Sequence, residues 1–497
     1  MGLLIGVGNT TPQFPYQALW YGIKINLKNS GHSIADGKLE RVGNLDLHRS
    51  LPIQKRIRRF MATVDGKVNY WLGANDSTLK EGGGAARLNA LDGNVMLYKP
   101  DYWRRVEFDG DYMLVAISEV ELPGFVYMGE KARSPWFATF DRTTNKPVSA
   151  CFLQWNADGT VKRDANGLLV LTDNAANFRG GNNSTTNDAN NKSLLGMPAT
   201  YTTKATIRSR CKTLGNMWHH GGWRFREEMS WLMAIEFGDL DSQAAYNANK
   251  TADGFAQGGL GDGTYVDSAQ WSAFNGYYPI IPSGITAKLG NNTGIVEYTI
   301  KEWQTGVDKT LKVASYRGWE APQQSLWEHD DDVIIRCFKP SEGGQMLIYL
   351  CTDPAKFATP TDKATVVPDG YEEMGALPAA QGYIASMGYG LGYTFPNDTT
   401  GGASNKNYCD HFWRQTVTDD NGLDGWYQLL SCVSSNNAEN AGVRGANANN
   451  RGANTNTNYG FPLNHLRFSC VKTQPQKPCL TETYLQRWGY VGKIIRV

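Results

Sequence analysis

The chain predicts an α+β fold, a β-rich N-terminal region followed by a large elaborated domain, and three observations carry that expectation. Short apolar runs punctuated by turn residues recur along most of the 497 residues, the pattern of strands joined by tight connections. One stretch instead spaces its apolar residues as a helix does. The 54 Gly, 15 Trp and 24 Tyr belong with many turns and aromatic anchors, as in loop-rich proteins that present binding surfaces.

Length and charge bound the function classes. A chain of this size holds roughly two to four domains or one large one, with ample core. Lys plus Arg is 49 against 48 Asp plus Glu, so no global charge favours nucleic acid or a charged membrane. The eight cysteines, Cys151, Cys211, Cys337, Cys351, Cys409, Cys432, Cys470 and Cys479, show no CxxC and no metal-ligand spacing, and read as mostly buried free thiols. The opening MGLLIGVGNTTPQFP lacks the basic n-region and the apolar length of a signal peptide, so synthesis in the cytoplasm is expected. Gly6 stands where a myristoylation signal wants Ser or Thr. No apolar run reaches the length that spans a bilayer, so no membrane insertion is expected.

From Met1 to Leu72 short apolar runs and turns predict strands. Lys55, Arg56, Arg58 and Arg59 form the most basic patch, read as a solvated or interfacial face with the capacity to grip phosphate or an acidic partner. Gly82 to Gly84 mark a linker or long turn. Val95 to Trp103 with Tyr112 to Ile117 predicts a hairpin around Asp109-Gly110. Pro135 to Phe152 reads as a further strand pair, followed by the turn region Trp155 to Gly167. Thr172 to Lys192 is too polar to pack and predicts an exposed loop. Thr202 to Phe237 is the helical region. Within it Phe225, Met229, Leu232 and Ile235 form one apolar stripe, read as core packing, with Gly238 as the stop.

Several patterns suggest chemistry and are weak. GGLGDG, Gly258 to Gly263, lacks the Lys-Ser/Thr of a phosphate loop and reads as a turn. Glu328, His329, Asp330, Asp331 and Asp332 offer oxygen ligands suited to calcium but not the spacing of an EF-hand, and read as exposed turn charges. His219 and His220 are adjacent, so a zinc site there would need ligands from elsewhere. No G-x-S-x-G elbow and no H-E-x-x-H occurs. No catalytic residue, metal or cofactor is expected.

Gly425 to Cys470 is the stretch around which the chain is organised. Trp426, Leu429, Leu430, Cys432 and Val433 on one side, and Phe461, Leu463, Leu466, Phe468 and Cys470 on the other, read as strands with buried faces. Between them fall Asn436, Asn437, Asn440, Asn447, Asn449, Asn450, Asn454, Asn456 and Asn458. So polar an insert is expected to be a surface loop clamped at both ends. Asn amides donate and accept on a short stem, which suits adaptable recognition, with Trp426 and Tyr459 as aromatic contributors.

GNLDLHRSLPIQ (Gly43 to Gln54), DGNVMLYKPDYW (Asp92 to Trp103), LPGF (Leu122 to Phe125) and the segment Met197 to Gln243 resemble a family of phage and prophage structural proteins of tail-fibre or receptor-binding type, common in phages of gut Bacteroidales. The helix, the SYRGWEAPQQSLWEHDDDVII segment (Ser315 to Ile335) and RGANANNRGANTNTNYGFPLNHLRFS (Arg444 to Ser469) are similar, more distantly, to the formylglycine-generating and sulfatase-modifying group of the C-type-lectin-like fold. There Gln324 and Ser325 replace the Gly and Asn that group prefers. The Cys470–Cys479 spacing departs from that of the copper-binding pair. In targets of diversity-generating retroelements the last stretch is the diversified surface. The resemblance implies a β-rich attachment or oligomerisation region over residues 1–91, a C-type-lectin-like ligand-binding domain over 92–475 and an extension over 476–497. It implies a virion protein, not an enzyme, that assembles as a homotrimer with other tail proteins and binds a glycan or protein receptor on the host surface, with no nucleic-acid partner. A formylglycine-generating-type enzyme and a bacterial surface adhesin are the alternatives.

Overall fold

The computed structural model describes residues 16–185, 193–261, 281–301, 308–416, 420 and 422–465. It corrects the expected fold class. Of the described residues 37% are strand and 13% helix, so the protein is mostly β and not α+β. Only three α-helices occur among the described residues: α1 (Leu45–Ser50), α2 (Lys204–Lys212) and α3 (Trp223–Phe237). The helical periodicity that suggested α+β is real but confined to α2 and α3, while period-two alternation governs the rest.

Four sheets surround α3. A five-stranded sheet runs Leu39–Gly43, Trp20–Asn26, Tyr112–Ser118, Tyr102–Asp109, Val126–Met128. A six-stranded sheet runs Trp218–His220, Leu463–His465, Lys131–Arg133, Asn94–Lys99, Arg58–Ala62, Val68–Trp71. An eight-stranded sheet runs Tyr371–Ala376, Met346–Cys351, Trp327–Cys337, Gly425–Ser431, Ala446–Asn450, His411–Arg414, Gly382–Tyr383, with Tyr459–Gly460 pairing alongside Trp327–Cys337. A three-stranded sheet holds Gly294–Lys301, Asp308–Tyr316 and Trp319–Glu320. The hairpin around Asp109-Gly110 is present, with Asp109 opposite Tyr112. Asn94–Lys99, however, pairs with Arg58–Ala62 in the neighbouring sheet. Strands from either side of residue 91 thus share two sheets.

The helical region resolves into two helices separated by the Trp218–His220 strand. Thr203 caps α2 by accepting a hydrogen bond from Thr206 N, which satisfies one of the donors a helix start leaves open. All fifteen residues of α3 are buried. Phe225, Met229, Leu232 and Ile235 sit in the main core with Trp231, Val333, Ile335 and Ile348, as the stripe requires. Gly238 ends the helix at φ 69° and returns its N–H to Ala234 O, a left-handed cap that glycine adopts without strain.

A fully buried helix with five charged side chains stands only if each charge finds a partner. Arg224 reaches Asp332 (3.0 Å) and Arg226 reaches Glu328 (2.9 Å) in the eight-stranded sheet. Glu227 takes Arg104 (2.7 Å) from the five-stranded sheet. Glu228 takes Lys99 (2.6 Å) and Lys131 (2.5 Å) from the six-stranded sheet. Glu236 takes Arg317 (2.6 Å) and the Tyr316 hydroxyl (2.9 Å) beside the three-stranded one. Burial alone would raise the Glu228 carboxyl, but Lys131, Lys99 and Arg104 hold it at about 2.

The acidic cluster Glu328 to Asp332 is corrected by the same network. It lies on the Trp327–Cys337 strand, all eleven residues of which are buried. Glu328 is shared by Arg133 (2.7 Å) and Arg226. Asp331 meets Arg208 (2.5 Å) and His220 (3.3 Å). Asp332 accepts from the backbone N–H of Trp223 at 2.8 Å, closing the start of α3 where a carboxylate is favoured. These side chains are structural counter-ions. Asp330 is the exception: neither oxygen closes a hydrogen bond of good geometry, although Ser431 lies beside it. Burial, then the charges of Glu328 and Asp332, push its carboxyl far above the usual range.

The basic patch is likewise absorbed. Arg59 is fully buried on Gly318 O and Thr286, Arg56 pairs with Asp101 and Glu119, and Arg58 lies over Trp71 and meets Glu81. Lys55 alone of the four is exposed. Within Thr172 to Lys192, Phe178 is buried and stacks on Phe152 at 4.7 Å, so part of the expected loop packs; residues 186–192 lie outside the described residues. Gly258, expected in a turn, forms an isolated antiparallel bridge with Tyr246, and residues 262 and 263 also lie outside. Among the described residues no helix is long and apolar enough to cross a membrane.

Leu232→Ala should lose about 2–5 kcal/mol of stability through the cavity it leaves, and Asp332→Ala about 3–5 kcal/mol because Arg224 is left buried and unpaired; denaturant unfolding measures both. Asp330 gives a pH signature. Its carboxyl keeps in the fold a proton that the unfolded chain releases near pH 3.9, so stability is lost as pH rises above about 4. Asp330→Asn removes that loss. The variant should therefore gain on the parent as pH rises above about 4 in parallel unfolding titrations.

Candidate functional site

The Asn-rich insert is not one surface loop. Its first flank, Gly425–Ser431, is a strand with all seven residues buried, as expected. The chain then forms a 3-10 turn at Ser435–Asn440, passes through the buried residues 441–445, and enters the sheet as the strand Ala446–Asn450. That strand lies between Gly425–Ser431, antiparallel, and His411–Arg414, parallel. Ala446 and Ala448 are fully buried, so the alternation Ala-Asn-Ala-Asn is a period-two strand whose small apolar side faces the core. Arg444 fixes the approach: its N–H donates to Asp410 (2.7 Å) and its guanidinium to Ser230 O (2.9 Å) and Leu240 O (3.0 Å). A Cβ on Gly442 would stand 1.7 Å from Asp410 Oδ1, so only glycine fits there.

The second flank belongs to a different sheet. Leu463–His465 pairs with Trp218–His220 and Lys131–Arg133, and Leu466, Phe468, Cys470 and Cys479 lie outside the described residues. The exposed part of the insert thus shrinks to residues 451–458, which leave the eight-stranded sheet after Asn450 and return to it at Tyr459–Gly460, before the chain passes to the six-stranded sheet.

The expected ligand residues divide accordingly. Asn447 is 8% exposed; its Oδ1 accepts from Asn449 N (2.9 Å) and Asn450 Nδ2 (3.2 Å). Asn450 Oδ1 in turn accepts from Asn454 Nδ2 (3.2 Å) and the Tyr459 hydroxyl (2.7 Å). Asn447, Asn449, Asn450, Asn454 and Tyr459 therefore form one amide cluster. Asn454 and Asn456 are exposed, and Asn458 is half-buried on Ser434. Asn437 holds Ser434 from the 3-10 turn, where Asn440 is also half-buried; the Asn436 side chain lies outside the described residues. Trp426 is corrected: it is 2% exposed, packs with Ile334, Tyr349, Phe357 and Tyr371, and donates to Ala364 O. An aromatic so buried anchors the flank and meets no ligand.

The surface gains three aromatic side chains that sequence reasoning missed. Tyr383 and His411 are cross-strand partners with rings 5.2 Å apart, and His411 lies 4.2 Å from Trp413. Trp413 meets Trp327 edge-on at 5.2 Å. Trp413 is the register partner of Asn447, so ring and amide share one face of the sheet. Tyr383, His411 and Trp413 are half-buried, whereas Phe412 and Arg414 between and beyond them are buried. The alternation in HFWR was the available signal. Burial pushes His411 down to about 4, so the ring is neutral at physiological pH. Uncharged rings beside amides offer stacking and hydrogen bonding together, the chemistry of recognising a polar ligand with an apolar face. His219 and His220 lie buried on a strand, with His219 against Phe357.

Asn447→Ala should cost about 1 kcal/mol, because it removes the acceptor of the half-buried Asn449 N–H. Asn454→Ala and Asn456→Ala should stay within about 0.5 kcal/mol. Thermal unfolding of the three variants distinguishes the anchored from the displayed half of the insert.

A scan of the chain against protein-family models gives no match, and a search of the curated proteins gives none either.

Proposed function

We propose that this chain is a receptor-binding protein of a phage tail and that its ligand face is the amide and aromatic surface of the eight-stranded sheet. The observation that carries this reading is the register of Trp413 with Asn447. It sets the Tyr383, His411 and Trp413 rings beside Asn447, Asn449, Asn450, Asn454 and Tyr459 on one face. The motifs that resemble tail-fibre and receptor-binding proteins support the same reading. In the virion the chain assembles as a homotrimer with other tail proteins and binds a glycan or protein on the host surface. Many copies then turn weak single contacts into firm attachment. Exposed Asn454 and Asn456 vary the contact, while the half-buried rings fix its position.

The test is adsorption of the fluorescently labelled protein to cells of gut Bacteroidales. Trp413→Ala should reduce binding at least about tenfold, since aromatic anchors dominate interface energies, and Asn454→Ser with Asn456→Ser should alter which strains are bound. Undiminished adsorption of Trp413→Ala, with its melting temperature unchanged, would place the receptor site elsewhere.

A further inference from the structure

A second constellation lies where three distant segments converge behind the end of α3. The 29–38 loop is stitched to the segment after α3: Ser33 bridges Asp239, Leu240 N donates to His32 O (2.9 Å) and Ile34 N to Gly238 O (3.0 Å). The turn at 406–409 closes on the same loop, with Asn407 N donating to Gly31 O (3.0 Å) and Lys38 Nζ to Asn407 Oδ1 (2.9 Å). At the junction a ring nitrogen of His32, a carboxylate oxygen of Asp241 and the sulfur of Cys409 lie within 4.8 Å of one another.

We propose that His32, Asp241 and Cys409 bind a divalent cation of the zinc class and so clasp the three segments. One nitrogen, one oxygen and one sulfur is a ligand set that zinc accepts and that calcium or magnesium does not. The histidine is set up for it. Nδ1 is held 2.7 Å from Asp239 Oδ1, and that same oxygen accepts from Asp241 N at 2.8 Å. A carboxylate on one imidazole nitrogen orients the ring and makes the other, Nε2, the better ligand. Asp36 comes within 4.0 Å of Nε2 and, with water, is available for the fourth position. Donors around a tetrahedral zinc stand about 3.3–3.8 Å apart, given bonds of about 2.0–2.3 Å, so the three close on the ion by about an ångström through side-chain rotation. Cys409 is buried, whereas the His32 and Asp36 side chains keep 24% and 34% of their exposure, which leaves an entry from solvent. On binding, the Cys409 thiol gives its proton to solvent, and thiolate and carboxylate together neutralise the dication.

The full chain, reduced and stripped with a chelator, is titrated with Co²⁺ and then Zn²⁺. One equivalent of Co²⁺ should give tetrahedral d–d absorption and a thiolate-to-cobalt charge-transfer band, both erased by Zn²⁺, and Zn²⁺ should raise the melting temperature. Cys409→Ser should lose the band, and His32→Gln should weaken binding more than about tenfold. Asp239→Asn should weaken it by about 10- to 100-fold, the range for groups that orient a ligand. Cys351→Ser should leave it unchanged. No band in the parent protein at several equivalents of Co²⁺ overturns the proposal, as does a band that survives in Cys409→Ser. Should Cys409→Ser fail to fold in chelator, His32→Gln with unaltered binding overturns it equally.

Discussion

The constraint on which the rest of the structure depends is charge neutrality around α3. An entirely buried helix that carries two arginines and three glutamates is unstable alone and in any partial assembly. An unpaired ion in a low-dielectric interior loses its hydration and receives nothing in return. Its five charges are answered from three sheets and from the turn of a fourth, by Asp332 and Glu328, by Arg104, by Lys99 and Lys131, and by Arg317. The sheets are therefore not free to dock in other orders around the helix. Apolar packing supplies the bulk of the driving force, since Met229, Trp231, Leu232 and Ile235 fill the core. The ion pairs choose which of the apolar arrangements is adopted, a role that buried polar groups fulfil in some proteins at little net gain in stability.

The candidate surface is built on the outside of this arrangement. Arg444 reaches back to Ser230 O and Leu240 O, at α3 and just past its end, so the strand that carries Asn447 is tied to the central helix two residues before it enters the sheet. Alternation then divides the labour: Ala446 and Ala448 look inward, and Asn447 looks toward Trp413. Rigid backbone beneath adaptable amides limits the entropy lost when a partner binds.

How much of this was legible in the sequence depended on distance along the chain. The Phe225 to Ile235 stripe, the Gly238 stop and the Asp109-Gly110 turn are local signals, and each is found in the structure. The roles of Glu328 to Asp332 and of Arg59 were misread because a paired buried charge and a solvated one have the same letter. What distinguishes them is Arg133, Arg208 or Thr286, more than a hundred residues away. The Asn insert was read by composition when its alternation held the information: Ala at every second place is enough to bury one side of a strand. Trp426 reads from the sequence both as a buried flank residue and as an aromatic contributor, and Tyr349 and Phe357 hold it in the core. The mostly β architecture was underestimated because two well-marked helices outweigh, to the eye, many short strands.

The anchoring of residues 451–458 at both ends has a mechanical consequence. A tether fixed to one hairpin would be peeled open, its hydrogen bonds breaking one after another from the end. Here one end continues from Ala446–Asn450, laddered on both sides, and the other runs through Tyr459–Gly460, paired with Trp327–Cys337, into Leu463–His465, also laddered on both sides. A pull along either strand loads its backbone hydrogen bonds together, in shear, and divides the force between two sheets that grip the same central helix. The segment is built to bear tension.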